Sequence, residues 1–337
     1  MRVAVLGRTK ILFNSIEAVR AAGHDVVLIG TCAAADEYDV RERDFENKAK
    51  EIGAVFFNNP AINSPEIVQI MKQAGADAAI SLNWLTIIRG EAISCFPYGI
   101  LNAHCGDLPR YRGNACPNWA ILSGEKEYAI SVHYMEPGEL DSGDILIKKK
   151  YPINDDTYIS EIYENMRNEI PGLFCEALSM IESGKGKGSA QSKNPADSLR
   201  CYPRIPSDSF LNWNEPCEAL IRNIRASSHP FSGAYCFCEG MKLYIFEASA
   251  RDFPAPCHVN PGQVIAFDRQ EGWAEIAASD GIVRVERITV DGQEYLAAEI
   301  LKSTRIRLNY SLDDEIYRLR QEISALRKEI DAISEKA

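Results

Sequence analysis

The amino-acid sequence predicts an α/β fold: a doubly wound, mostly parallel Rossmann-like sheet, then a small antiparallel β domain and a C-terminal heptad helix. Three observations predict it. Apolar runs alternate with helical periodicity in the first half, short strands broken by Pro and Gly fill most of the second, and apolar residues recur at steps of three and four near the end. With 337 residues the chain is longer than a domain with a single hydrophobic core usually is, so we expect two domains and a C-terminal tail.

The first half alternates strands with helices. The predicted strands are Arg2–Leu6, Asp25–Ile29, Ala54–Phe57, Ala76–Leu82, Gly99–His104, Ala129–Met135 and Ile145–Tyr151, and the predicted helices are Lys10–Ala22, Asp44–Ile52, Ser64–Ala74 and a long helix, capped by Asp155-Asp156-Thr157, to about Glu182. Gly23 suits a helix C-terminus, and Ser64-Pro65 suits an N-cap followed by the first helical residue. Such an alternation predicts a parallel sheet that binds ligands beyond the carboxyl ends of its strands.

After Pro195 the sequence pattern changes to short predicted strands that are interrupted by Pro and Gly. The predicted short strands are Gly233–Cys238, Lys242–Ala248, Gly262–Phe267, Trp273–Ala277 and Val283–Val290, which favour a small antiparallel barrel or open sheet. We therefore expect a catalytic domain over 1–190, a β-rich (OB-like) domain over 191–309 and a helix over 310–337.

The final segment carries a heptad pattern. Its apolar positions are Ile316, Leu319, Ile323, Leu326, Ile330 and Ile333, with Ile at a and mostly Leu at d. In this register Glu315 and Glu322 are g positions, and Arg320 and Arg327 are the e positions that they would meet across a parallel dimer. We expect a homodimer through 310–337; the alternative is one amphipathic helix that packs on its own chain.

Composition excludes several classes of function. The net charge of −11 argues against non-specific binding of nucleic acid, which needs Lys and Arg to neutralise phosphates. The start resembles no signal peptide, and no apolar run approaches the length of a membrane span. The ten cysteines are scattered without CxxC pairs, so we expect reduced thiols in a cytoplasmic protein and no metal site.

Two phosphate-binding motifs are absent from the sequence. The turn after the first predicted strand, from Gly7, lacks the G-x-G-x-x-G fingerprint, which excludes a dinucleotide-dependent dehydrogenase. The glycine-rich segment 183–189 has no Gly-Lys-Ser/Thr that opens a helix after a strand, so it is not a P-loop.

An amide, an imidazole and a carboxylate follow the ends of predicted strands. Asn102 and His104 are two residues apart, so strand alternation turns both to one face and Cys105 to the other. His104 can act as a general base, Asn102 can donate to an oxyanion, and Asp141 can orient His104 or stabilise its cation. The alternative is a buried structural histidine with Asp141 as a turn residue.

These residues carry a resemblance to a known family. The motifs are Asn102-Ala-His104, Leu108-Pro109-Arg110-Tyr111-Arg112-Gly113 and Leu140-Asp141-Ser142-Gly143-Asp144. The chain resembles the 10-formyltetrahydrofolate-dependent formyltransferases, which include methionyl-tRNA, glycinamide ribonucleotide and sugar-nucleotide formyltransferases. The likeness covers about residues 1–190 and continues through Arg204–Trp213 and Ile224–Ala234. Cys105-Gly106-Asp107 and Asn114 depart from the family pattern, and the heptad tail lies outside it.

The resemblance implies formyl transfer to an amine, with Asn102, His104 and Asp141 as catalytic residues and 10-formyltetrahydrofolate as co-substrate. The loops that it implies for folate comprise Leu85, Thr86, Ile87 and Ile88, and Pro137, Gly138, Glu139, Leu140 and Asp141. The candidate contacts to the acceptor are Arg110, Tyr111, Arg112, Arg204 and Arg225. Arg204 and Arg225 would bind a diphosphate, or else form surface salt bridges, and Tyr202 or Trp213 could stack on a base or belong to the core.

Two segments of the sequence bear on the identity of the acceptor. The region where tRNA-specific relatives would have a basic insertion, Thr31–Phe45, is acidic, which disfavours nucleic acid. The segment from Arg204 to Trp213 is similar to sugar-nucleotide formyltransferases. We therefore expect N-formylation of a nucleotide-linked amino sugar, for example a dTDP-amino-dideoxyhexose of a lipopolysaccharide. The alternatives are methionyl-tRNA, hydroxyornithine, and a non-catalytic scaffold that associates through its tail.

Overall fold

The computed structural model describes residues 1–35, 38–309 and 312–334, with the side chains of 316–328, 330 and 333 in the last range. It divides into two compact units, Met1–Arg204 and Ile205–Ala337. The first unit extends beyond the expected boundary at residue 190. The reason is local: Gln191 donates to two backbone carbonyls of the 141–143 loop, and the strand Arg200–Cys201 pairs with Arg112–Gly113.

The first unit is built on a seven-stranded sheet, and two further short strands form a separate pair. The strands are β1 Arg2–Gly7, β2 Asp25–Thr31, β3 Val55–Asn58, β4 Ala78–Leu82, β5 Ile100–His104, β6 Arg112–Gly113, β7 Glu127–Tyr134, β8 Ile145–Pro152 and β9 Arg200–Cys201. The sheet order is β3-β2-β1-β4-β5-β7-β8, parallel through β5 and antiparallel for β7 and β8, while β6 and β9 form a separate parallel pair. The prediction of a doubly wound, mostly parallel sheet is confirmed.

Helices flank this sheet. They are α1 Lys10–Ala21, α2 Glu42–Ile52, α3 Pro65–Ala74, α4 Gly90–Ile93, α5 Cys116–Leu122 and α6 Ile159–Glu182. The predicted cap of α3 is present, because the Ser64 hydroxyl accepts from the backbone N–H of Ile67. The predicted cap of α6 is wrong: α6 begins at Ile159, and the Thr157 hydroxyl accepts from the backbone N–H of Asn154 instead.

The second unit contains two antiparallel four-stranded sheets. Its strands are β10 Ala234–Cys238, β11 Met241–Ile245, β12 Ser249–Arg251, β13 Val264–Phe267, β14 Ala274–Ala277, β15 Ile282–Val285, β16 Arg287–Val290 and β17 Gln293–Leu296. The sheet orders are β10-β11-β16-β17 and β12-β15-β14-β13. The single strand predicted at Val283–Val290 is wrong, because the chain passes from one sheet to the other between β15 and β16.

The second unit also contains α7 Cys217–Ser227, α8 Ala297–Ile300 and α9 Leu312–Ser334. Trp213 is completely buried in its core and packs with residues of both sheets, so Trp213 is a core residue and not a stacking surface. No helix in the described ranges combines the length and the apolar character that a bilayer crossing requires.

Candidate active site

The candidate site lies at the carboxyl end of β5, the last parallel strand of the sheet, beside the antiparallel β7. Asn102 is half-buried and His104 is buried at the end of this strand. The neighbouring strand β7 runs antiparallel and pairs His133 with Asn102. Directly opposite residues of an antiparallel pair place their side chains on the same face, so His133 joins the two predicted residues.

Asp141 lies between the two imidazoles. Its Oδ2 is 3.6 Å from His104 Nδ1 and its Oδ1 is 3.6 Å from His133 Nε2. Asn102 Nδ2 donates to His133 Nε2 at 3.2 Å, while His133 Nδ1 donates to the Tyr134 carbonyl at 2.8 Å. The three predicted residues therefore converge, and His133, which the sequence analysis missed, connects them. A lone imidazole within the apolar strand predicted at 129–135 was the available signal.

The second nitrogen of His104 faces a backbone carbonyl. His104 Nε2 lies 2.5 Å from the Tyr111 oxygen. A carbonyl only accepts, so the proton of the neutral imidazole is on Nε2, and Nδ1 is the basic nitrogen on the side of Asp141. This close approach requires Gly106, since a Cβ there would lie 2.3 Å from the Tyr111 oxygen and 2.6 Å from His104 Nε2.

Burial and charge set the protonation of the pair. Burial has the largest effect on the His104 imidazole and lowers its pKa, although the Asp141 carboxylate and the Tyr111 carbonyl act in the opposite direction. Burial alone would raise the pKa of Asp141, but His104, His133 and the Gly113 N–H outweigh it and lower the pKa from 3.8 to about 2. Near neutral pH the site therefore holds an uncharged base beside an ionised carboxylate.

The backbone around Asp141 holds its carboxylate in place. Asp141 has a φ of 53°, in the left-handed region, and its Oδ2 accepts from the Gly113 N–H at 2.8 Å. Gly143 allows close packing, because a Cβ there would lie 1.9 Å from the Tyr134 oxygen. Arg112 donates to Gln191 Oε1 at 2.7 Å, and Gln191 in turn donates to the Asp141 carbonyl. Arg112 thus supports this loop through Gln191.

The two predicted folate loops lie next to each other. A Cβ on Gly90, just after the first loop, would be 3.4 Å from Pro137 Cγ in the second. Both loops expose apolar side chains: Leu85 is 51%, Ile87 68% and Leu140 42% exposed, whereas Ile88 is buried. Pro137, Gly138 and Glu139 are also exposed.

Hydrogen bonds of Asn63 and of Thr86 hold the backbone of the first loop in place. Asn63 donates to the Ile87 carbonyl at 2.8 Å and accepts from the Arg89 N–H at 2.8 Å. The Thr86 hydroxyl donates to the Pro60 carbonyl at 3.0 Å. The loop is therefore a fixed surface that keeps its apolar side chains in solvent.

The predicted acceptor contacts divide into paired and buried residues. Arg110 forms an ion pair with Glu125 at 2.8 Å, and the Tyr111 hydroxyl donates to the same carboxylate at 2.7 Å. Arg204 is half-buried at the end of the first unit, and Arg225 is 6% exposed within α7 of the second. The side chains of Arg110 and Tyr111 are therefore both engaged with Glu125 rather than with Asn102, His104 or Asp141 among the contacts that the structure describes.

Arg200 is a cation beside the site that the sequence analysis did not single out. It is exposed and lies on β9, with its guanidinium stacked along Gly113, where a Cβ would be 3.2 Å from Arg200 Cζ. Its charge contributes to the lowered pKa of His104. Its guanidinium lies 5.7 Å from the ring centre of Tyr202, which is 68% exposed. Arg200 has no carboxylate partner among the described residues.

Two other chemistries are poorly supported by the geometry. Cys105 is buried, and burial raises the pKa of its thiol, so a thiolate nucleophile is disfavoured. Within the described residues, no group of three or more His, Cys, Asp or Glu side chains could hold a metal ion.

Comparison with sequence families gives two matches. Residues 1–178 match the model described as Formyl transferase, and residues 205–305 match Formyl transferase, C-terminal domain. The methionyl-tRNA formyltransferase of Symbiobacterium thermophilum is 28% identical over 303 residues, 89% of this chain and 91% of the relative. That of Heliobacterium modesticaldum is 27% identical and covers 88% of this chain and 95% of its own length.

Comparison with solved structures supports the fold. An N-formyltransferase from Helicobacter canadensis, in complex with folinic acid and dTDP-3-aminofucose, has a TM-score of 0.58 and 17% identity, and covers 87% of this chain and 99% of its own. HypX from Aquifex aeolicus, in complex with tetrahydrofolic acid, has a TM-score of 0.57 and 18% identity, and covers 89% of this chain and 47% of its own. At these identities the likeness is one of fold.

Proposed function

This chain belongs to the formyl transferase family, and from that membership we propose that it transfers a formyl group from 10-formyltetrahydrofolate to the amine of a nucleotide-linked amino sugar. The observation that carries the chemistry is the convergence of Asn102, His104 and Asp141 at one strand end. The observation that supports the acceptor class is the exposed Arg200 beside that cluster.

The protein's own residues supply acid–base and electrostatic chemistry. When bound, 10-formyltetrahydrofolate would supply the formyl group, and the acceptor nitrogen would add to its carbonyl carbon before N10 leaves. His104 Nδ1 takes the proton that the attacking amine loses, and returns it to the departing N10. Asp141, ionised and 3.6 Å away, stabilises the transient imidazolium.

Asn102 is the donor for the developing oxyanion. An amide nitrogen carries two protons, and His133 accepts one of them at 3.2 Å. The second proton remains for the oxygen of the formyl group. A donor of this kind contributes about 3 kcal/mol to transition-state stabilisation. His133 is a positioning residue, because it fixes the amide through a proton that the reaction does not use.

The two exposed loops support a flat, partly apolar ligand. Leu85, Ile87 and Leu140 present apolar side chains in the same region, and the backbone of the first loop is fixed by Asn63 and Thr86. A pterin ring needs this combination of apolar contact and fixed backbone donors and acceptors. We therefore assign folate binding to Leu85–Ile88 and Pro137–Asp141.

Arg200 and Tyr202 support an acceptor that carries phosphate and an aromatic base. A guanidinium without a carboxylate partner favours phosphate, and an exposed phenol ring favours stacking. Arg200 lies beside Gly113, whose N–H donates to Asp141, and the Tyr202 ring lies 5.7 Å from the Arg200 guanidinium. A nucleoside diphosphate linked to an amino sugar combines these groups with the amine that His104 must reach.

Methionyl-tRNA is the second candidate acceptor, and the sequence relatives favour it. The charge of the 31–45 segment opposes it. Asp36 and Glu37 of this segment lie outside the described residues; of the others, Asp44 accepts from the Arg41 N–H at the start of α2, and Asp39 is exposed. An acidic segment repels the phosphates of an acceptor stem.

A competition between acceptors tests the proposal. The purified protein receives 10-formyltetrahydrofolate with a dTDP-amino-dideoxyhexose, methionylated initiator tRNA or hydroxyornithine, and formylated product is detected by mass spectrometry. We expect the sugar nucleotide to be formylated and the tRNA to remain unchanged. Formylation of the tRNA with no reaction of any amino-sugar nucleotide would reject the proposed acceptor and retain the chemistry.

The role of Arg200 has a separate test. Arg200→Met should raise the KM for the sugar nucleotide by about tenfold and leave kcat within about threefold, because the residue binds phosphate and does not touch the reacting atoms. Arg43→Met, which also removes an exposed arginine from the first unit, is the matched control and should change neither value. An unchanged KM in Arg200→Met would remove this residue from the acceptor site.

A further inference from the structure

The helix α9 leaves its whole described surface in solvent. All of its described side chains, at 316–328, 330 and 333, are exposed. They include Ile316 at 38%, Ile323 at 50%, Leu326 at 58% and Ile333 at 69% exposure. Helices of this length gain most of their stability from packing of an apolar face, and a monomer supplies no such packing to these side chains.

The exposed apolar residues form one continuous stripe. Ile316, Leu319, Ile323, Leu326, Ile330 and Ile333 follow each other at steps of three and four. This spacing keeps them on the seam of a left-handed supercoil rather than spread around the helix. Ile occupies every a position, and Leu occupies d in the first two heptads, a combination that favours two strands over three or four.

Charges beside the stripe select the orientation of a partner helix. Glu322 is at a g position, and Arg320 and Arg327 are at e positions; Glu315, the preceding g residue, lies outside the described side chains. In a parallel pair each g residue faces the e residue of the next heptad, so glutamate meets arginine. In an antiparallel pair g faces g and e faces e, so like charges meet.

We propose that α9 binds the α9 of a second copy of this chain as a parallel, in-register, two-stranded coiled coil. The partner is a second copy because the charges are self-complementary. In a symmetric parallel dimer the glutamate at g of each helix faces the arginine at e of the other, so an identical helix satisfies both. Within one helix Arg318 also contacts Glu322 at 3.1 Å, and this exposed contact is compatible with the dimer. The proposal concerns assembly and is independent of the proposed acceptor.

Sedimentation equilibrium of the full chain tests the assembly. The wild type should have twice the monomer mass of 37.5 kDa at micromolar concentration. Ile323→Asp, at the centre of the stripe, should shift the mass to that of the monomer. Ser324→Asp introduces the same charge one residue away, off the stripe, and should leave the dimer intact.

A charge exchange tests the orientation. Glu322→Arg alone and Arg327→Glu alone should each weaken the dimer at least tenfold, and the double variant should restore wild-type affinity. A wild-type monomer, a trimer, or a dimer that survives Ile323→Asp would overturn the proposal. Single charge variants that dimerise as the wild type does would overturn the parallel arrangement.

Discussion

Replacement of Asp141 by asparagine tests the electrostatics of the site. Asparagine keeps the size of the side chain and an oxygen for the Gly113 N–H, but it removes the negative charge between His104 and His133. The lowering of the Asp141 pKa from 3.8 to about 2 is worth about 2.4 kcal/mol at about 1.36 kcal/mol per unit. The carboxylate is only 8% exposed, so solvent screening is small.

The lowered pKa of Asp141 stabilises the folded protein at neutral pH and not in strong acid. A lowered folded-state pKa contributes stability above the unfolded pKa of 3.8, and this contribution is lost as the pH falls toward 2. About half of it, roughly 1.2 kcal/mol, should be gone by pH 3. The wild type should therefore lose more free energy of unfolding than Asp141→Asn does between pH 7 and pH 3, by about that amount.

Urea unfolding at pH 7, 4 and 3, followed by circular dichroism, measures this difference. Asp25→Asn, which replaces an exposed aspartate of the same unit, is the matched control for the change of side chain. A constant gap in stability between the wild type and Asp141→Asn over the whole range would refute the claim that the folded protein lowers the pKa of the Asp141 carboxyl.

The other expected outcomes concern geometry and titration around His104. Gly106→Ala should lower kcat at least about tenfold, because its Cβ would lie 2.3 Å from the Tyr111 oxygen. The control is Gly172→Ala, in α6 with open space around it, which should leave kcat unchanged. Equal kcat values for the two variants would reject the argument that Gly106 is needed for close packing. His133→Phe should lower kcat about tenfold or more with little change in the KM for the amine, because the Asn102 amide loses its hydrogen-bond acceptor. A change in KM alone, measured by steady-state kinetics, would contradict this role of His133. The pH profile of kcat should fall on the acid side with an apparent pKa below 6.5, because His104 acts as a base only when neutral and burial lowers its pKa. An acid limb centred above 6.5 would contradict this assignment.

Local rules predicted the elements that hold the site. Strand alternation predicted that Asn102 and His104 share one face, and the lack of a G-x-G-x-x-G fingerprint at Gly7 argued against a dinucleotide-dependent dehydrogenase. The N-cap at Ser64 and the final helix also follow from short-range signals. These features depend on residues within one or two turns of each other, so the sequence carries them directly.

The features that escaped prediction depend on contacts between distant segments. His133 enters the site only through the register of β7 against β5, and Arg200 only through the pairing of β9 with β6. The carbonyl that binds His104 belongs to the backbone of Tyr111, whose side chain is engaged elsewhere. Likewise the change of sheet between β15 and β16 is invisible in a run of β-branched residues. No spacing pattern encodes such pairings.

The most direct test of the central claim, that His104 is the base for formyl transfer, is the turnover of His104→Asn with 10-formyltetrahydrofolate and an accepted amine. Loss of a general base predicts a fall in kcat of well over about a hundredfold in a protein that still folds and still binds folate by fluorescence titration. Turnover within a few-fold of the wild type would contradict the account, because the amine proton would then leave by another route.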